Sequence, residues 1–343
     1  MKWFNFFSQE LAIDLGTANT LIMQNDQIVI DEPSIVAINR KTGETIAVGS
    51  RAMQMHEKTH ENIKTIRPLK DGVIADFQAA EKLIEGLINM IGTKRSFFTH
   101  LKMVICIPSG ITEVEKRAVF DSADHVDSKE TYLIHEPMAA ALGIGLDVEE
   151  PVGHIIIDIG GGTTEIAVIA MSGIVTDQSI RTAGDEFNYD IMEYMKRAHN
   201  ILIGERTAEQ LKINVGSALK QLENAPDDYP VNGRDLMTGI PKQITIGHTE
   251  IATALDKSIA KIEDAILKAL ESTPPELAAD IYKNGLYLTG GGALLRGLDK
   301  RISAKTKLAV RVVDDPLRAV VRGTGLALKN SDRYSFLIDR KSV

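Results

Sequence analysis

The chain holds a single cysteine, carries no excess of positive charge and contains no long apolar run. With Cys106 alone there is no disulfide framework, and a reducing compartment is the simple reading. That cysteine lies inside Met103-Val-Ile-Cys-Ile107, where it reads as a buried strand residue rather than a reactive thiol. Lysine and arginine number 39 against 47 acids, for a net charge of -8. Without a basic face, broad capture of nucleic acid is not expected. No stretch approaches the roughly 18 apolar residues of a membrane-crossing helix, and Trp3 to Phe7 is too short for a signal-peptide core. The expectation is a cytoplasmic chain, neither spanning nor secreted.

What is present is the balance of an ordinary globular protein, 44% hydrophobic and 25% charged, over 343 residues, longer than one typical domain. Leu11-Ala-Ile13, Met103 to Ile107, Ile155-Ile-Ile157, Ile166 to Ile169 and Leu286-Tyr-Leu288 read as strands. Between them lie helical patterns: Asp76 can cap Phe77 to Ile91, and Thr112 with Glu115 forms a capping box. Further helices are expected near Asn188 to Leu202, Thr207 to Leu219 and Thr249 to Leu270. This alternation is that of an α/β protein. Asn224 to Pro230 and Gly233 to Gly247 read as loops of a small insertion, and Ser331 onward as a surface tail.

An internal repeat organises the chain. Laying Asp14 on Asp158 puts Gly16 on Gly160 and Thr20 on Thr164, each motif preceded and followed by an apolar strand. A duplication of this kind predicts two similar lobes facing one another across a cleft. The first hairpin, Asp14-Leu-Gly-Thr-Ala-Asn-Thr20, has small residues that let backbone N–H groups approach phosphate oxygens, with Thr17, Asn19 and Thr20 adding donors. The second, Asp158-Ile-Gly-Gly-Gly-Thr-Thr-Glu165, is the more permissive cradle, although Gly160, Gly161 and Gly162 alone could merely turn a hairpin. A strand pattern follows it where a dinucleotide fingerprint would need a helix, and no G-x-x-x-x-G-K-[ST] occurs.

Asp14 and Asp158 sit at strand ends beside the glycines, where a carboxylate can hold water of a phosphate-bound Mg²⁺; the alternative is that each caps its own turn. A third cluster, Thr289-Gly-Gly-Gly-Ala-Leu-Leu-Arg-Gly297, follows a strand and is expected to open into a helix. There Gly290, Gly291 and Gly292 would let a flat base and the α-phosphate lie against the backbone.

These three clusters in this order, with His135-Glu-Pro-Met-Ala-Ala-Ala-Leu-Gly143 between them, resemble the actin and heat-shock chaperone ATPase superfamily. Together with Ala183-Gly-Asp-Glu186, Gly204-Glu-Arg-Thr-Ala-Glu209, Lys212 and Pro274-Pro-Glu276, they resemble the MreB family of bacterial actin homologues over about residues 10 to 330. The resemblance implies an actin-like ATPase fold: two duplicated RNase H-like lobes with small inserted subdomains around a nucleotide cleft. The first lobe would be residues 1–143 plus about 318–343, with an insertion at about 31–72; the second would be 144–317, with an insertion at about 184–247. It further implies ATP with Mg²⁺, slow hydrolysis coupled to self-assembly into filaments, and guidance of the cell-wall elongation machinery in rod-shaped cells. Thr17, Ala18 and Asn19 match the first phosphate motif and Gly161, Gly162 and Thr163 the second. Glu209 and Lys212, at i and i+3 on one helix, match the pair near the ribose. Glu136 matches the residue that orients or deprotonates the attacking water, helped by Thr163. His135 departs from the acid common beside that Glu, and a neutral structural role is the expectation. Ala139 to Ala141 and Gly323-Thr-Gly325 fall in the crossing connections between lobes, where small residues permit close helix packing with or without a hinge.

Trp3, Phe4 and Phe7 can share a helical face, and Phe97-Phe98 lie beside Lys94 and Arg95. In the family the corresponding segments contact the inner face of the membrane; the bland alternative is that these rings cover the first lobe. A metabolic kinase of the same superfamily would be expected to show a larger acceptor-binding insertion, and a chaperone would need a peptide-binding domain that does not fit in the short tail.

Overall fold

The computed structural model describes residues 8–92, 100–126 and 128–340. The first motif is set by β1 (Ser8–Leu15), whose Leu11, Ala12 and Ile13 are buried, and by β2 (Asn19–Gln24), which returns antiparallel to it. A tight turn with Asn25 and Asp26 at positive φ leads into β3 (Gln27–Pro33), the hairpin geometry that favours Asn and Asp. An inserted unit follows: β4 (Val36–Asn39), β5 (Thr45–Val48), α1 (Gly49–Met55) and β6 (Ile63–Ile66), closed around Ile35, Ala37, Ala47 and Ala52. Next comes a two-residue hairpin, β7 (Leu69–Lys70) and β8 (Val73–Ile74), turned by Asp71 and Gly72 at positive φ.

The capping residues act as the sequence predicts. Asp76 Oδ1 accepts the Ala79 N–H at the start of α2 (Phe77–Met90), and the Thr112/Glu115 box opens α3 (Glu113–His125) after β9 (His100–Ile107). β10 (Ser128–His135) and α4 (Glu136–Gly143) complete this part.

The second half repeats the scheme with β11 (His154–Ile159), β12 (Thr164–Ala170) and β13 (Gly173–Ile180). A mixed section follows: α5 (Gly184–His199), β14 (Ile201–Leu202), α6 (Glu205–Val215), β15 (Tyr229–Asp235), β16 (Pro241–Ile246), α7 (His248–Glu271) and α8 (Pro275–Asn284). The chain ends through β17 (Leu286–Thr289), α9 (Leu298–Thr306), β18 (Val310–Val312), α10 (Ala319–Lys329) and β19 (Ile338–Arg340).

The two main sheets share one topology. In the order β3-β2-β1-β9-β10 the first three strands form an antiparallel meander and the last two run parallel to β1; β13-β12-β11-β17-β18 does the same. The duplication read from two short motifs therefore extends through both sheets. Between them α4 crosses α10 with backbone pressed on backbone at two glycines. A Cβ on Gly143 would lie 1.8 Å from the Ala319 carbonyl oxygen, and one on Gly323 1.7 Å from that of Ala139. Buried Ala139, Ala140 and Ala141 join residues of both sheets in one apolar cluster.

Three expectations need correction. Gly233 to Gly247 is largely the β15–β16 hairpin, paired from Tyr229↔Ile246 to Arg234↔Pro241. Of its inward positions only Val231 and Ile246 are buried, so the alternation was too thin to read. The supposed tail contains β19, which pairs with β10 through Ile134↔Ile338, while Tyr334 and Leu337 pack on the central core. Helix ends also move: α5 stops at Asn200, which takes a left-handed conformation, and α6 stops at Gly216, where a Cβ would lie 2.0 Å from the Lys212 carbonyl oxygen. Trp3, Phe4, Phe7, Phe97 and Phe98 lie outside the described residues, among which no helix is long and apolar enough to cross a membrane.

Candidate active site

Both Asp-x-Gly motifs are the turns of their hairpins, and the two turns meet. A Cβ on Gly161 would stand 2.6 Å from the Ala18 Cβ, and one on Gly162 would stand 2.6 Å from Thr17 Oγ and 3.0 Å from the amide nitrogens of Asp71 and Gly72. The glycines thus do more than free a turn: their missing side chains allow the lobes to touch. The β7–β8 turn is the third party at this junction, its Gly72 N–H donating to Thr17 Oγ at 3.0 Å.

Each hairpin is braced from behind. Ser34, fully buried, donates its hydroxyl to the Gly16 carbonyl at 2.6 Å, pairs with Thr20 Oγ at 2.8 Å, and donates its N–H to the Ala18 carbonyl at 2.9 Å. The second hairpin is held by the start of α5, where Gly184 and Asp185 N–H groups donate to the Gly160 and Gly161 carbonyls at 3.1 and 2.8 Å. Sequence reading missed Ser34; its only signal is a serine one residue past the Glu-Pro that ends β3.

Burial dominates the electrostatics. Removal from water pushes the Asp14 carboxyl up to about 6, opposed by a hydrogen bond that the Cys106 thiol donates to Oδ1 at 3.1 Å. Cys106 is thus buried in its strand as expected, and its thiol is itself raised by burial and by the charges of Asp14 and Glu136. Asp158 is pushed to about 8 by burial and then by repulsion from Asp14 and Glu165. Glu136, at the start of α4, is raised well above the usual range by burial and then by Glu165, Asp14 and Asp158. Asp14, Asp158 and Glu136, three carboxyl groups whose charged forms are disfavoured here, make a site suited to a positive ion. Among the described residues no three His, Cys, Asp or Glu side chains converge into a ready-made metal cage, so Asp14 and Asp158 fit a cation held through water or phosphate oxygens.

The third glycine cluster packs on the second hairpin. Gly290, at φ 78°, leaves no room for a side chain, since a Cβ would lie 2.4 Å from both Asp158 Oδ1 and the Ile159 carbonyl oxygen. A Cβ on Gly292 would lie 2.2 Å from Ile159 Cγ2. Contrary to expectation, the cluster opens into a 3-10 turn, Gly291–Leu294, and the α-helix begins only at Leu298. Glu209 and Lys212 face one another on α6, with the ammonium donating to Glu209 Oε2 at 2.7 Å and to the Gly184 carbonyl at 3.0 Å. Asn188, which sequence reading passed over, donates to the same Oε2 at 2.7 Å and leaves its buried Oδ1 without a partner. His135 is half-buried at the N-terminus of α4, its Nδ1 3.4 Å from the Pro108 carbonyl oxygen. Thr163 lines a cavity of about 340 Å³ with Asp71, Pro108, Ser179 and Arg181. A larger groove, about 620 Å³, runs past Met23, Asp31 and Arg318 and contains none of these groups. Arg67, just past β6, pairs with Asp185 at the start of α5 at 3.6 Å and also with Glu205 at the start of α6.

Residues 8–335 match the family model described as MreB/Mbl protein. The chain is 45% identical over 328 residues to the cell shape-determining protein Mbl of Bacillus cereus, covering 95% of this chain and 98% of that one. It is 45% identical over 338 residues to the cell shape-determining protein MreB of Escherichia coli, covering 97% of each. Among solved structures, MreB5 of Spiroplasma citri bound to AMPPNP superposes with a TM-score of 0.90 at 38% identity, over 96% of this chain and 98% of that one, and its ADP-bound form with 0.89. The MamK double helical filament, at 21% identity and TM-score 0.76, shares the fold.

Proposed function

This chain belongs to the MreB/Mbl family, and from that premise we propose that it is a cytoskeletal ATPase that assembles into membrane-associated filaments, maintains rod shape and guides peptidoglycan synthesis through the cell-wall elongation machinery. The observation that carries the reading is the contact of two phosphate-type hairpins that carry buried Asp14 and Asp158, with Glu136 close enough to feel the charge of both. AMPPNP and ADP bind the related Spiroplasma protein, and the same ligands suit this cleft.

In this reading Thr17, Ala18 and Asn19 receive phosphate oxygens from one side, and Gly160, Gly161, Gly162 and Thr163 from the other. Glu209 and Lys212 face the ribose, and Gly290, Gly291 and Gly292 give the base an open backbone. Asp14 and Asp158 would hold Mg²⁺ through water. When bound, Mg²⁺ supplies the positive charge that neutralises phosphate oxygens and offsets repulsion among the acids. Glu136, once ionised, orients or deprotonates the attacking water with Thr163 beside it. Hydrolysis needs little more, because phosphoryl transfer depends mainly on positioning and charge neutralisation.

Trp3, Phe4, Phe7, Phe97 and Phe98 would seat the filament on the inner face of the membrane, ring insertion outweighing the net negative charge. Negative-stain microscopy on lipid, with ATP and with ADP, tests the assembly: filaments are expected with ATP, and their absence across a wide concentration range would sink the proposal. Liposome pelleting of the double variant Phe97→Ser/Phe98→Ser tests the anchor, since unchanged binding would remove that loop from the membrane contact.

A further inference from the structure

Glu165 takes no part in the chemistry proposed above, yet it is fully buried on β12, two residues past Thr163. A buried carboxylate is strongly destabilising unless its oxygens are satisfied. Here Oε2 accepts the Ser109 N–H at 3.2 Å and the Ser109 hydroxyl at 2.5 Å, while Oε1 accepts the Ser179 hydroxyl at 2.6 Å. Ser179 lies on β13 of the same sheet, but Ser109 belongs to the loop that leaves β9 in the other lobe. One carboxylate therefore ties the two lobes together immediately behind the second hairpin.

That loop leads to the water-orienting acid. The Pro108 carbonyl faces His135 Nδ1, and His135, paired in register with Ile107, directly precedes Glu136. Gly110 lies flush against β13, where a Cβ would stand 3.1 Å from the Ser179 Cβ. Glu136 and Thr163 come from different lobes, so their separation depends on how these lobes are held.

Resting on the ATPase reading, we propose that Glu165 is a positioning residue: by clamping the Pro108–Gly110 loop against β12 and β13, it sets where Glu136 stands relative to Thr163.

Full-length protein with Mg²⁺ and ATP gives the test, with nucleotide affinity and single-turnover hydrolysis measured separately. Ser109→Ala, which removes the shorter of the two bonds from Ser109 to Glu165, should slow hydrolysis at saturating ATP about tenfold while shifting affinity less than about twofold, as expected for misplacement of a reacting group. Glu165→Gln should stay within about threefold of the unmodified chain, because its amide oxygen can accept from Ser109 while its N–H donates to Ser179. Ser179→Ala, which spares the interlobe half, should also stay near the unmodified rate. Normal hydrolysis by Ser109→Ala would overturn the proposal, as would affinity and rate falling together. So would Glu165→Gln as impaired as Ser109→Ala, since the charge and not the bonded geometry would then matter. An unmodified chain that does not hydrolyse ATP would instead overturn the ATPase reading itself.

Discussion

The two hairpins occupy equivalent places in equivalent sheets, yet they are built differently. At the same motif position, a Cβ on Gly16 would press within 2.6 Å of the Asn19 carbonyl oxygen, whereas one on Gly160 would meet the Thr163 carbonyl oxygen at 3.4 Å, an ordinary contact. Thr20 shares its hydroxyl with Ser34, while Thr164 donates to the Thr182 carbonyl at 2.7 Å. The first hairpin keeps side chains at Thr17 and Ala18, and the second is bare where these two press against it. Duplicated elements that close on one another cannot both carry side chains at the contact, so the glycine triplet belongs to one copy only.

The largest effect should come from filling that contact. Gly161→Ala or Gly162→Ala would push a methyl against Ala18 or Thr17, and displacement of the hairpins is expected to lower single-turnover hydrolysis by about 100-fold, since small misplacements at a reacting centre are costly. If Gly162→Ala hydrolyses ATP normally, the hairpin contact is not needed for function. Circular dichroism distinguishes this from simple unfolding.

The acids offer a second contrast. Asp158, raised to about 8, binds a proton in the folded state that the unfolded chain has released above about pH 4. Over that window the folded state holds more protons than the unfolded one, so nucleotide-free stability should decline from about pH 4 to about pH 8. Asp14, raised only to about 6, contributes the same trend over a shorter span. Asp158→Asn should therefore gain on the order of 2 kcal/mol at pH 8 without nucleotide and flatten the profile more than Asp14→Asn, while losing Mg²⁺-dependent turnover. Chemical denaturation across pH checks the ranking; an unchanged slope in Asp158→Asn would show that this carboxyl is not the titrating group.

Much of this was legible because it follows from local pattern. Apolar runs marked the strands that carry Asp14 and Asp158, and the Asp76 and Thr112 caps announced α2 and α3. The repeat of Asp and Gly spacing foretold the matched sheets. What could not be read was set by distant contacts. β19 is three residues long with two of them charged, and it exists because β10 offers an open edge. Likewise nothing local reveals what Ser109 and Ser34 bind, since their partners lie 56 and 18 residues away.

Gly16→Ala and Gly160→Ala sharpen the comparison at smaller scale. The first should destabilise by about 1–3 kcal/mol through backbone overpacking, while the second, in a roomier turn, should lose less than about 1 kcal/mol. Equal losses measured by thermal unfolding would mean that the two turns are interchangeable after all.

The smallest expected effect is Ser34→Ala. It deletes the hydroxyl that braces the Gly16 carbonyl and leaves buried Thr20 Oγ without that partner, a change of about 1 kcal/mol. Because the Ser34 N–H bond to the Ala18 carbonyl survives, the first hairpin should loosen rather than unfold. Nucleotide affinity is then expected to fall about threefold, as order has to be restored on binding. Ser34 braces the first hairpin alone, and Thr164→Val, which removes the corresponding hydroxyl bond in the second, should weaken affinity less, because α5 still holds the Gly160 and Gly161 carbonyls. If Thr164→Val proves the more damaging, the second hairpin depends on its own hydroxyl more than on α5.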